Sequence, residues 1–193
     1  MNTNRIRMST LIGLLVATSA FGNPGAGVKA ETTGFGILKS LTPETVSQTP
    51  ETTSGVTRDA KVIGVVGQTN RIPATLGVRF GFAYFVQGLP STSKVVLKKI
   101  VKHPTIRKPD GTTSEGFVFL EHHTTSPQGT IKDYTGYGFD HSCELATGQW
   151  VIEMWYGEQK LIEQTFQVFK PGEEPSDRDR VPRSEAPFAA VHP

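Results

Sequence analysis

TGQWVIEMWYGEQKLIEQTFQVFK, residues Thr147 to Lys170, decides the fold class of this 193-residue chain. It reads as two strands joined by a tight turn at Gly157-Glu158-Gln159. Trp150, Ile152, Met154 and Tyr156 share one face, and Ile162, Phe166 and Val168 line one face of the returning strand. Side chains alternate across a strand, so these residues form an apolar sheet surface. A lone hairpin cannot bury such a surface, and a second sheet must cover it. The expectation is an all-β, antiparallel β-sandwich.

The rest of the chain supplies that second sheet. Leu76, Val78, Phe80, Phe82, Tyr84 and Val86 alternate with Gly77, Arg79, Gly81, Ala83, Phe85 and Gln87, a period of two that marks a strand. The glycines thin the second face and predict a close backbone approach there. Gly34 to Leu41 and Lys61 to Gln68 read as earlier strands, the latter stopped by Ile72-Pro73. Lys94 to Lys102 sets Val95, Leu97 and Val101 against Lys98 and Lys102, a strand whose lysine face is solvated, and His103-Pro104 ends it. Phe117 to His122 is apolar on both faces, which predicts a central strand. Thr130 to Leu145 holds one more, and Ala146-Thr147-Gly148 turns into the hairpin. The total is seven to eight strands.

The segments outside this core differ in composition. Arg5 and Arg7 precede the short apolar run Leu11 to Phe21, and Val28-Lys29-Ala30 offers small residues at a peptidase site. Residues 1–30 therefore read as a signal peptide cut between Ala30 and Glu31. The apolar run is about half the ~20 residues that span a bilayer, so no membrane span is expected after cleavage. The expected location is periplasmic or extracellular. Residues 42–59, rich in Thr, Ser, Pro and Glu, read as a flexible loop, and the Pro-rich, mixed-charge segment 170–193 as a disordered tail.

The formal charge of +2 owes its sign to the leader. Without residues 1–30, which carry Arg5, Arg7, Lys29 and no acid, 17 basic residues face 18 acidic ones. That balance argues against nucleic acid as a partner. Cys143 is the only cysteine, so no intramolecular disulfide can form. It reads as a small apolar residue.

Several residues combine as a pattern: Arg71-Ile72-Pro73-Ala74, Leu76-Gly77, Arg79 to Phe82, His103-Pro104, Tyr137-Gly138-Phe139-Asp140, Gly148 with Trp150, Trp155-Tyr156-Gly157, and Leu161 through Glu163-Gln164, Phe166 and Val168. This pattern resembles an uncharacterised family of small exported bacterial proteins, a domain of unknown function. The resemblance covers Gly34 to Phe169. It implies an immunoglobulin-like sandwich and carries no activity, cofactor or catalytic residue.

Chemistry is sparse. Glu121-His122-His123 tempts a metal reading, with Asp140 and His141 as further donors. Adjacent strand residues point to opposite faces, so His122 and His123 cannot chelate one ion from a regular strand, and no spaced ligand signature is present. His141 and Cys143 could pair as a base and thiol on one strand face, although the local sequence approaches a turn. No nucleophile elbow or phosphate loop occurs. Asp133 to Tyr137 resembles the tyrosine-bearing segment of antibody domains, which supports sandwich geometry. The leading expectation is a non-enzymatic binding or envelope-interaction module without cofactor, using exposed aromatic residues such as Trp155 and Phe85. The alternative is a metal-binding protein or hydrolase built on His122, His123, Asp140 and His141.

Overall fold

The computed structural model describes residues 27–41, 45–50, 52–59 and 61–173. Two sheets pack face to face. The first has the order β4 (Val62–Gln68), β1 (Lys29–Ser40), β6 (Arg79–Gln87), β9 (Ile131–Gly138). The second runs β5 (Arg71–Pro73), β11 (Gln159–Phe169), β10 (Gly148–Tyr156), β7 (Lys94–Arg107), β8 (Thr113–Thr124). A two-stranded hairpin, β2 (Thr45–Gln48) with β3 (Val56–Asp59), stands apart from both. Pairing is antiparallel except between β11 and β5, which run parallel. One 3-10 turn, η1 (Ser142–Glu144), is the only helical element among the described residues.

The alternating faces close on each other as the sequence predicts. Phe80, Phe82, Tyr84 and Val86 of β6 are fully buried, as are Trp150, Ile152 and Met154 of β10 and Phe166 of β11. Apolar burial of this kind drives the sandwich together. Trp150 sits at the centre of an aromatic cluster with Phe80, Phe139 and Tyr137. Gly81 carries the close approach its sequence position implies: a Cβ there would lie 2.0 Å from the Thr135 carbonyl oxygen on β9. The final hairpin turns at Gly157 (φ 55°), with Tyr156 opposite Gln159.

Three readings are corrected. Leu76 does not extend β6; it lies in a turn and is 53% exposed. His103-Pro104 does not end β7, which continues to Arg107. The register breaks between Lys102 and Ile106, and such an irregularity accommodates a residue that cannot donate to the ladder. Lys99 lies apart from the solvated face of Lys98 and Lys102. It has the same parity as Leu97 and Val101, and it turns inward to Glu121. Most consequentially, β8 is an edge strand rather than a central one.

Residues read as a loop between Thr42 and Asp59 contain the β2–β3 hairpin. Its tip is held at one end of the sandwich, where Thr52 and Thr53 are buried. Residues 1–26 of the expected leader and 174–193 of the expected tail lie outside the described residues. The expected cleavage bond, Ala30–Glu31, lies within β1, where Ala30 pairs with Val86 and Glu31 with Phe85. Val28, just before it, is buried, and its carbonyl accepts a hydrogen bond from Gln159 Nε2.

Candidate functional site: a cleft between two sheet edges

β8 and β9 are edges of different sheets, and the sandwich stays open between them. The opening is a cleft of about 420 Å³, within the size range of small-ligand sites. Phe117, Phe119, Glu121 and His123 reach it from β8, all of one parity, and Leu120 and His122 of the other parity border it. Asp133, Tyr134 and Tyr137 come from β9, and Asp140 from just beyond it. Thr52 and Ser54 at the tip of the β2–β3 hairpin also line it.

The charged groups of the cleft meet one another. Lys99 Nζ lies 2.9 Å from Glu121 Oε1, and Thr135 Oγ1 donates to the same carboxylate at 2.8 Å. Burial raises the pKa of Glu121, but the Lys99 charge, the nearby His123 ring and the hydrogen bonds from Lys99 and Thr135 outweigh it, leaving the carboxyl at about 2. His123 lies between carboxylates, 3.7 Å from Asp133 and 3.8 Å from Glu121. Beneath it is the Tyr84 hydroxyl, 3.5 Å from Nε2. Burial, with Glu121 and Asp133 nearby, pushes the Tyr84 pKa far above that of an ordinary phenol. Arg79 and Asp140 pair at 3.6 Å.

A second polar cluster fixes the end of the cleft. Tyr137 donates to Glu144 Oε1 at 2.6 Å, while the backbone N–H groups of Asp140 and His141 donate to Oε2 at 2.8 and 2.7 Å. Glu144 is buried. It escaped the sequence reading. Its position three residues after His141 is the spacing of a capping carboxylate, the one local signal that could have singled it out.

The sequence-derived candidates converge only in part: His122, His123 and Asp140 line the cleft, and Trp155, Phe85, His141 and Cys143 do not. Trp155 is on the outer face of the second sheet, its indole donating to Glu153 at 2.8 Å and flanked by Lys98 and Lys160. Burial raises the Glu153 pKa, but hydrogen bonds from Lys102, Trp155 and Lys160 outweigh it, and the carboxyl stays at about 2. Phe85 is on the outer face of the first sheet, in a 190 Å³ depression shared with Lys29, Ala30, Glu31 and Gln87. Neither residue lines the β8–β9 cleft. The histidine pair splits as the strand geometry requires: His123 turns in between the sheets, while His122 is exposed on the other face, although it too borders the cleft. His141 leads into η1 and does not line the cleft. Cys143 lies within η1 rather than on a strand and packs partly buried against the core. Among the described residues, no group of three or more His, Cys, Asp and Glu could hold a metal ion.

His103 ties the hairpin to the sandwich. Its Nδ1 faces the Pro104 carbonyl at 2.8 Å and its Nε2 faces Thr53 Oγ1 at 2.8 Å. The ring packs on Trp150 with centroids 4.7 Å apart. This geometry suits a neutral imidazole that donates from Nδ1 and accepts from the Thr53 hydroxyl. Burial lowers its pKa below the ordinary 6.5, against opposing contributions from the Pro104 carbonyl, Glu144 and Glu115. The unfolded chain therefore takes up this proton first as pH falls. The His103 contribution to stability is complete above pH 6.5 and is lost as pH drops through the folded-state value. Urea midpoints measured from about pH 7 to about pH 5 should decline, and His103→Gln should flatten that decline. Glu121 and Glu153 add their own losses only as pH falls from the ordinary carboxylate range toward about 2. An unchanged slope in the variant would remove His103 from this role.

The match to known families decides the affiliation. The model of a domain of unknown function, DUF3859, matches residues 29–168. The chain belongs to this family. The DUF3859 match begins at the first residue of β1 and ends one residue before β11 does, so it spans both sheets. An immunoglobulin-like protein from Pseudomonas aeruginosa superposes with a TM-score of 0.54 at 22% identity, covering 74% of this chain and 96% of that one. That likeness shows the fold, an immunoglobulin-like β-sandwich. The alkylpurine DNA glycosylase of Pseudomonas fluorescens bound to DNA containing an abasic-site analogue aligns at a TM-score of 0.39 and 14% identity, over 74% of this chain and 30% of that one. So low a similarity carries no argument. No curated protein matches the chain. Among the described residues, no helix is long and apolar enough to cross a membrane.

Proposed function

We propose that this DUF3859 domain is an exported, non-enzymatic recognition module that binds a component of the cell envelope in the β8–β9 cleft. The observation that carries the reading is the makeup of the cleft. Phe117, Phe119, Tyr134 and Tyr137 stand beside charged side chains that are already paired with one another. Aromatic side chains offer apolar surface to a ligand ring, and fixed carboxylates and an arginine accept and donate strong hydrogen bonds. A ligand with a flat apolar face and hydroxyl groups, such as a glycan ring, suits both. Turnover is disfavoured by the same pairing. A carboxyl at about 2 is no general acid at neutral pH. The leader-like N-terminus read from the sequence supports export.

Titrating the isotope-labelled protein with soluble peptidoglycan fragments tests this reading. Amide resonances of β8 and β9 should move while those of β4 and β5 stay, and Phe119→Ala should weaken the response. Shifts confined to other strands, or none at all, would remove the cleft as the binding site.

A further inference from the structure

β8 has the wrong sequence for the place it occupies. Natural sheet edges are blunted by charge, proline, bulges or shortness, because an exposed ladder invites another strand. β5 is three residues long, β4 is broken by two register shifts against β1, and β9 carries Lys132 and Asp133. β8 has none of these defences over its middle. Its register against β7 is unbroken from Gly116 to Thr124, and Gly116 to Leu120 contains no charge. Val118 and Leu120 are 49% and 52% exposed on the outer face, next to Val96 at 39%. Such a strand reads as central because both its faces are apolar.

We infer that a second copy of this chain pairs antiparallel with β8, joining two five-stranded sheets into one across a two-fold axis. The strand is complementary to itself in one register. With the axis at Phe119, Val118 of each copy faces Leu120 of the other on the outer face, which makes two apolar pairs. Moving the axis to Val118 sets each Leu120 against Gly116 of the other copy, and moving it to Leu120 sets each Val118 against His122, so either shift gives up a Val–Leu pair. A two-fold interface requires this self-complementarity. The selected register also sets the two Phe119 residues side by side on the face that walls the cleft, so each copy contributes to the site of the other.

Light scattering on the purified chain, from micromolar to near-millimolar concentration, reads the association directly. The chain should be dimeric at the upper end. Val118→Lys and Leu120→Lys, both at exposed positions, should raise the dimer dissociation constant at least about tenfold, while Val66→Lys on the exposed face of β4 leaves it unchanged. The register is read by cross-linking. Val118→Cys with Leu120→Cys should form an interchain disulfide, and Val118→Cys alone should not, since facing residues lie within disulfide reach and diagonal ones do not. A monomer at every concentration would overturn the proposal and leave the edge to a strand of another protein. A dimer indifferent to both lysine substitutions would overturn it as well, and cross-linking by the single variant would overturn the register.

Discussion

Replacing Trp150 by alanine is expected to destabilise the protein by about 3–5 kcal/mol. The indole is fully buried and meets Phe80 at 5.7 Å, Phe139 at 5.6 Å and Tyr137 at 4.9 Å between ring centroids. Its Nε1 donates to the Ala146 carbonyl at 3.0 Å. Alanine leaves a cavity lined by rings that cannot simply collapse together, because Phe80 is fixed on β6 and Tyr137 and Phe139 on β9 and the residue just past it, and it strands a carbonyl acceptor. The loss spreads further, since His103 stacks on the same indole and holds the hairpin tip through Thr53. Against a typical total stability of about 5–15 kcal/mol, the variant should unfold at a much lower urea concentration. Trp150→Phe keeps a ring but loses the hydrogen bond, and should cost less than half as much. A loss under about 1 kcal/mol for alanine would mean that Trp150 is not the centre of the core.

Trp150 also shows how far sequence periodicity reaches. Parity alone places Trp150, Ile152 and Met154 on the buried face of β10, and Phe80, Phe82, Tyr84 and Val86 on that of β6. It also separates His122 from His123. Each inference needs only neighbouring residues and the two-residue repeat of a strand. Parity fails where the answer depends on what lies beside a strand. Val118 and Leu120 look like the second buried face of a central strand, yet no strand lies beyond them in the sheet. Lys99 looks like another solvated lysine until Glu121, two strands from β10 and at the mouth of the opening, is seen to receive it. Thr53 looks like a loop residue until the sandwich supplies His103 and Ser114 as its partners.

The candidate site was less legible for the same reason. It is made by residues 117–123 meeting residues 133–140 across two sheets, and strand order creates that encounter. Trp155 and Phe85 drew attention as single aromatic residues of the outward parity. The structure accounts for Trp155 without a ligand: Lys98 and Lys160 cover its ring, and Glu153 accepts from its indole. Of the aromatic residues that do reach the cleft, Phe117, Phe119 and Tyr137 have the same parity as core residues and pass for core in a linear reading.

Glu144→Ala should be the second most damaging change, costing about 3 kcal/mol or more. Three donors converge on this buried carboxylate: the Tyr137 hydroxyl and the backbone N–H groups of Asp140 and His141. Hydrogen bonds to a charged acceptor contribute roughly 1.5–3 kcal/mol each, and donors left buried without a partner are costly in their own right. Glu144→Gln preserves the size and one acceptor oxygen. Its carbonyl can still serve the two N–H groups, and its amide can donate to a rotated Tyr137 hydroxyl, so its loss should be nearer 1 kcal/mol. Tyr137→Phe removes a single arm of the network, and a double-mutant cycle with Glu144→Gln measures the coupling between them. The cycle should show strong coupling because the Tyr137 pKa is raised well above the phenol range by burial first and by Glu144 second; the hydroxyl stays protonated and available to donate. Tyr137 also lines the cleft and packs on Trp150. Losing Glu144 should therefore loosen the cleft wall and weaken ligand binding in the titration, even at temperatures where the variant remains folded. A Glu144→Ala protein as stable as the parent would mean that water replaces the carboxylate at no cost, and that the tyrosine wall is held by packing alone.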